Sequence, residues 1–91
     1  MTAKKIIFSG RVQGVGFRYA TKQIALGFDV VGWVKNLKDR TVELQLMGEA
    51  EEVDEFLKEL VEESELAGLI KEHRVWDIDP LEDCRGFRIA D

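Results

Sequence analysis

Apolar positions along the chain switch between a repeat of two and a repeat of three to four, and the switches mark the elements. Residues 4–9 hold Ile6, Ile7 and Phe8 in a run too apolar for an exposed edge, closed by Gly10, and read as a first strand. Phe17, Ala20, Ile24 and Phe28 then recur at helical spacing, with Lys22 and Gln23 on the other face and Gly27 where a C-terminal cap would stand. That pattern predicts a helix over 17–26. Residues 28–36 and 41–47 read as two strands of a hairpin joined by Leu37-Lys38-Asp39-Arg40. The second alternates cleanly, with Val42, Leu44 and Leu46 inward against Thr41, Glu43 and Gln45 outward, so one sheet face is buried and one is wet. Residues 49–63 form the clearest helix: Ala50, Val53, Phe56, Leu57, Leu60 and Val61 make one stripe, and Glu49, Glu51 and Glu52 suit the dipole at its start. A connection over 64–69, with Gly68 as its turn residue, leads to a fourth strand over 70–78 carrying Val75, Trp76 and Ile78 and stopped by Pro80. After a turn at Asp83-Cys84-Arg85-Gly86, Phe87 and Ile89 alternate in a short last strand.

The order is β-α-β-β-α-β with one extra C-terminal strand. It predicts an α+β sandwich, two helices on one face of a mostly antiparallel sheet, with right-handed crossovers. The chain has no repeats, linkers or low-complexity tracts, and its 91 residues suit a single domain over 1–91.

Between the first strand and the first helix lies Gly10-Arg11-Val12-Gln13-Gly14-Val15-Gly16-Phe17-Arg18, with three glycines and two arginines in nine residues. Glycines free the backbone to turn successive N–H groups into a concavity that attracts anions. A helix starting near Phe17 aims its free N–H groups at the same place, where Arg18 can add a two-pronged contact. On glycine content alone, a tight strand-to-helix turn with a solvated arginine is the simpler reading. The nucleotide loops do not fit: Tyr19 stands where a dinucleotide fingerprint needs its third glycine, and no Gly-Lys-Ser/Thr follows.

Charge shifts the balance toward an anion. Residues 1–28 have no Asp or Glu, and Lys4, Lys5, Arg11, Arg18 and Lys22 give them +5. The rest holds 8 basic and all 18 acidic residues, hence −10, for a total of −5. An arginine at a helix start, where carboxylates are favoured, makes sense if a ligand brings the negative charge.

Composition narrows the classes. With 45% hydrophobic and 34% charged residues the chain is expected to fold alone as a soluble domain. No apolar run approaches a membrane span and residues 1–10 lack a signal-peptide core, so the cytoplasm is the expected location. Cys84 is the lone cysteine, which fits a reducing compartment, and nothing links it to His73 as a catalytic pair. One cysteine and one histidine exclude the usual zinc sites. A pI near 4.9 argues against nucleic acid, and the positive patch is the size of one phosphate. Asn36, at a strand end beside a turn, has an ordinary explanation in its tolerance of left-handed backbone.

Taken together, residues 10–18 and Gly32-Trp33-Val34-Lys35-Asn36, followed by Thr41-Val42-Glu43, resemble the two signatures of the acylphosphatase family, in the family's element order and over the whole chain. The resemblance implies a ferredoxin-like fold with strand order 4-1-3-2. It implies that Arg18 binds phosphate, that Asn36 positions water, and that the backbone amides of Gln13, Gly14, Val15, Gly16 and Phe17 cradle the phosphate. One departure is Arg40, where the family usually has glycine, so a different hairpin turn beside Asn36 is expected.

The implied reaction is hydrolysis of acyl phosphates to a carboxylate and inorganic phosphate. A carboxylate leaves readily, so no protein acid, metal or cofactor is required. The expected partners are small acyl phosphates, with neither nucleic acid nor membrane. A monomer is expected, because no apolar stripe is left unassigned. The alternative is a non-catalytic anion-binding ferredoxin-like module, since a domain of this type also occurs within larger hydrogenase-maturation proteins. RNA binding on the open sheet is disfavoured by Val42-Glu43-Leu44-Gln45-Leu46, which is neither aromatic nor basic.

Overall fold

The computed structural model describes residues 1–90; Asp91, the last residue of the expected domain, lies outside the described residues. Strands β1 (Thr2–Gly10), β2 (Val30–Asn36), β3 (Val42–Gly48), β4 (Ile70–Asp77) and β5 (Phe87–Ile89) form one sheet in the order β4-β1-β3-β2-β5. The helices are α1 (Phe17–Ala25) and α2 (Ala50–Lys58). Strand β1 runs antiparallel to β3 and β4, and β2 antiparallel to β3, while β5 joins parallel to β2. The sheet therefore has the expected 4-1-3-2 order with the short last strand added outside β2.

The period-two pattern works as expected in the middle of the sheet. Ile6 and Phe8 of β1, Val34 of β2 and Val42, Leu44 and Leu46 of β3 point to one face and are fully buried. From above, Phe17 of α1 and Val53, Phe56 and Leu60 of the second helical segment close the core. The Phe8 and Phe17 rings meet at 5.3 Å, tying β1 to the start of α1 directly beneath the loop that connects them. Thr21 is also fully buried and satisfies its hydroxyl by donating to Phe17 O at 2.8 Å, which lets a polar residue sit in the helix's buried stripe.

Two expectations need correction. The last turn of α1 tightens, with Gly27 N–H donating to Ile24 O and Phe28 N–H to Ala25 O, each at 3.0 Å, so Gly27 is not a left-handed cap. The helix expected over 49–63 is regular only to Lys58, and Glu59–Glu63 is a π-helical turn. The cause is Ser64. Its hydroxyl donates to Leu60 O at 2.7 Å, taking the acceptor its own amide would use, and the amide reaches Glu59 O at 2.7 Å instead.

Strand β4 stands at the edge that the 4-1-3-2 order gives it, with Val75 and Trp76 44% and 43% exposed: Val75, paired with Ile6, lies at the margin of the helix-covered face, and Trp76, paired with Lys5, lies on the opposite face of the sheet. Two exposed apolar side chains are thus left on the edge strand, one on each face of the sheet. Lys5 covers part of the Trp76 ring at 5.0 Å.

Candidate active site

The loop after β1 is pinned at both ends. Arg11 N–H donates to Leu69 O at 2.9 Å, Val12 is buried, and Phe17 anchors the far end in the core. Gly14 and Gly16 both take φ near 76°, in the left-handed region. A Cβ at either would meet nothing within 4 Å, so backbone conformation rather than space calls for glycine here. Gly16 caps α1 with no side-chain hydrogen bond, and the first turn holds no acidic residue, so the dipole end and its N–H groups face the loop's concavity.

That concavity is a cavity of about 180 Å³ lined by Val12, Gly14, Gly16, Phe17, Arg18, Tyr19, Asn36 and Ile89. Two residues far apart in sequence, Arg18 on α1 and Asn36 at the end of β2, therefore line one space. Arg18 is half-buried. The Asn36 side-chain oxygen, Oδ1, is buried and accepts no hydrogen bond among the described residues. A buried acceptor without a donor costs about 1–3 kcal/mol and calls for an explanation in function.

Gln13 and Val15 do not line this cavity. They line the neighbouring depression, with Gly10, Arg11 and Arg40. The Gln13 side chain has a task that sequence reasoning missed: Nε2 donates to Thr41 O at 2.8 Å and Leu37 O at 2.9 Å, strapping the loop to the hairpin that follows Asn36.

The hairpin turn keeps a glycine-like shape in spite of Arg40. Arg40 itself adopts φ 73°, with its N–H donating to Leu37 O at 3.2 Å. Leu37 N–H closes the turn on Thr41 O at 2.9 Å. Asp39 accepts from the Thr41 hydroxyl and, at 3.1 Å, from the Thr41 N–H, and these bonds hold its carboxyl below the ordinary carboxylate range.

Other reactive side chains stand away from the cavity. His73 lies on β4 opposite Phe8, and Cys84 is half-buried in the turn before β5. Among the described residues no three His, Cys, Asp or Glu side chains gather as a metal-ligating group, and no helix is long and apolar enough to cross a membrane.

A ferredoxin-like sandwich whose glycine-rich loop at a helix start shares one cavity with an arginine and with an asparagine of buried Oδ1 is the class of protein these elements define. The acylphosphatase family model matches residues 4–89, and the chain belongs to that family. It is 40% identical over 83 residues to an acylphosphatase of Listeria welshimeri, spanning 90% of this chain and 88% of that protein. The crystal structure of an acylphosphatase from Bacillus subtilis is similar over the full length of both chains, with a TM-score of 0.89 and 33% identity. The T. kodakarensis HypF structure is similar over all of this chain but only 12% of its own, with a TM-score of 0.85 and 31% identity.

Proposed function

We propose that this protein hydrolyses acyl phosphates to a carboxylate and inorganic phosphate, with residues 13–18 holding the phosphoryl group and Asn36 holding the water. The observation that carries this reading is the buried, unpartnered Oδ1 of Asn36 in the cavity that Arg18 also lines. An acceptor in that position takes one water hydrogen and leaves a lone pair of the water aimed into the cavity.

The amides of Gly14, Gly16 and Phe17 and the guanidinium of Arg18, all in residues that line the cavity, supply donors for the three non-bridging oxygens, and Gln13 and Val15 complete the loop that carries them. Phosphoryl transfer is mainly positioning plus stabilisation of charge on those oxygens, and fixed amides reorganise little as the reaction proceeds. The water oxygen bonds to phosphorus while the phosphorus–oxygen bond to the acyl group breaks. The bonding pair leaves with the carboxylate, and a phosphoryl oxygen takes the water's proton. A carboxylate leaving group needs no protein acid, which agrees with His73 and Cys84 standing elsewhere, and this route needs no metal or cofactor.

The chain acts in this reading as a monomer on small acyl phosphates in the cytoplasm, with no nucleic-acid or membrane partner. Hydrolysis of acetyl phosphate in ¹⁸O-labelled water tests it. Label is expected in the inorganic phosphate; label in the acetate would mean attack at carbon and would remove the role given to the phosphate cradle.

A further inference from the structure

The cavity holding Arg18 and Asn36 is bounded by Tyr19, and the same side chain also lines a second depression. That groove, about 350 Å³, is completed by Ala20, Gln23 and Ile24 of α1 and by Ser64 and Glu65 after the π-helical turn. Tyr19 is 64% exposed and Ile89, on the wall of the first cavity, 37% exposed, so the passage carries apolar surface that folding leaves in water. Exposed apolar surface contiguous with a polar cavity is the usual form of a small-molecule site.

We propose that Tyr19 divides a phosphate subsite from an acyl subsite, and that the preferred substrates are acyl phosphates with an extended apolar acyl group lying across the Tyr19 ring into this groove. The proposal rests on the acyl-phosphate reading above. Direction supports it. In-line displacement sends the carboxylate away from the water, hence away from Asn36 and β2, and no residue of β2 or β5 lines the groove. Charge supports it as well, because among the described residues the groove's only charged lining residue is Glu65, which repels a second carboxylate on the acyl portion. Ala20, Ile24 and the Tyr19 ring offer walls for methylene groups, while Gln23 and Ser64 form a polar rim.

The test is kcat/KM for acetyl, hexanoyl and succinyl phosphate. Each fully buried methylene multiplies binding about fourfold, so covering two of the added four predicts a hexanoyl-to-acetyl ratio of about ten or more, with succinyl phosphate no better than acetyl. Tyr19→Ser and, independently, Ala20→Glu should cut that ratio several-fold through KM, in proteins whose circular dichroism is that of the wild type. Equal kcat/KM for acetyl and hexanoyl phosphate, or a ratio that neither variant moves, overturns the acyl subsite while leaving the hydrolase reading intact. No turnover of any acyl phosphate, in a folded protein inert to all three, overturns both.

Discussion

Gln13 and Thr41 are joined across the site, the Gln13 carboxamide nitrogen donating to Thr41 O at 2.8 Å from the middle of the phosphate loop. The same nitrogen reaches Leu37 O, next to Asn36, so one side chain ties the glycine-rich loop to the hairpin that begins after Asn36. Gln13→Ala is expected to cost about 1–2 kcal/mol of stability and to lower kcat more than it raises KM. Gln13→Glu removes the donor and sets carboxylate oxygens against two carbonyls, so it should be worse than alanine. Urea denaturation and steady-state kinetics on both variants check this, and an unchanged kcat in Gln13→Ala would reduce the strap to a structural contact.

Arg40 occupies left-handed backbone at φ 73°, which costs a residue with a Cβ about 1 kcal/mol and costs glycine little. Arg40→Gly should therefore be neutral to stabilising by up to about 1 kcal/mol, because part of the gain is lost to unfolded-chain entropy. Arg40→Val, whose branched Cβ is poorly suited to that region, should destabilise. Thermal melts of the two variants should move in opposite directions or leave glycine unchanged and valine lower.

Gly32 lies in the middle of β2, where an added Cβ would meet the backbone carbonyl oxygen of Gln45 and come within 2.8 Å of Leu46 Cα. Its N–H also donates to Gly86 O at 3.0 Å, bringing in the turn that leads to β5. Because both obstructing atoms are backbone, relief requires β2 and β3 to separate. Gly32→Ala should cost about 3 kcal/mol. Gly14→Ala, with open space around its Cβ, should cost less, and chemical denaturation of the pair gives the comparison.

Thr41 holds the Asp39 carboxyl below its ordinary range, first through its hydroxyl and then through its N–H. A folded value below the unfolded one gives stability that is complete above the unfolded value, about pH 3.9, and is lost as pH falls through the folded value. Asp39→Asn keeps an acceptor at every pH. Its stability relative to wild type should therefore rise as pH drops below about 4, and a difference that stays constant from pH 7 to pH 3 would contradict the role assigned to these bonds.

Much of the fold can be read from short-range pattern, because the buried face of a central strand and the stripe of a helix are local properties. The alternation of Val42, Leu44 and Leu46 is enough to orient β3. The exposure of Val75 and Trp76 on β4 is not legible this way, since the same pair suits a strand covered by a helix and one that is not. Nor is the π-helical turn, which depends on one hydroxyl of Ser64 outcompeting its own amide. At the site, the glycines and Arg18 form a pattern visible within nine residues, whereas the placement of Asn36 in the same cavity is visible only in the fold. The Gln13 strap spans 24 and 28 residues of sequence, so no window short enough to show periodicity contains both of its ends. Thr21 was hidden for a related reason: its burial depends on a bond to Phe17 O that forms only in the folded helix.

The most direct measurement of the central claim compares wild type, Asn36→Ala and Arg18→Ala for acetyl phosphate turnover and for competitive inhibition by inorganic phosphate. Asn36→Ala should lose kcat by about 100-fold or more, as for loss of a reactant-positioning group, while its inhibition constant for phosphate stays within about twofold. Arg18→Ala should lose both rate and phosphate affinity. Turnover at the wild-type rate in Asn36→Ala would contradict the account at the residue on which it rests.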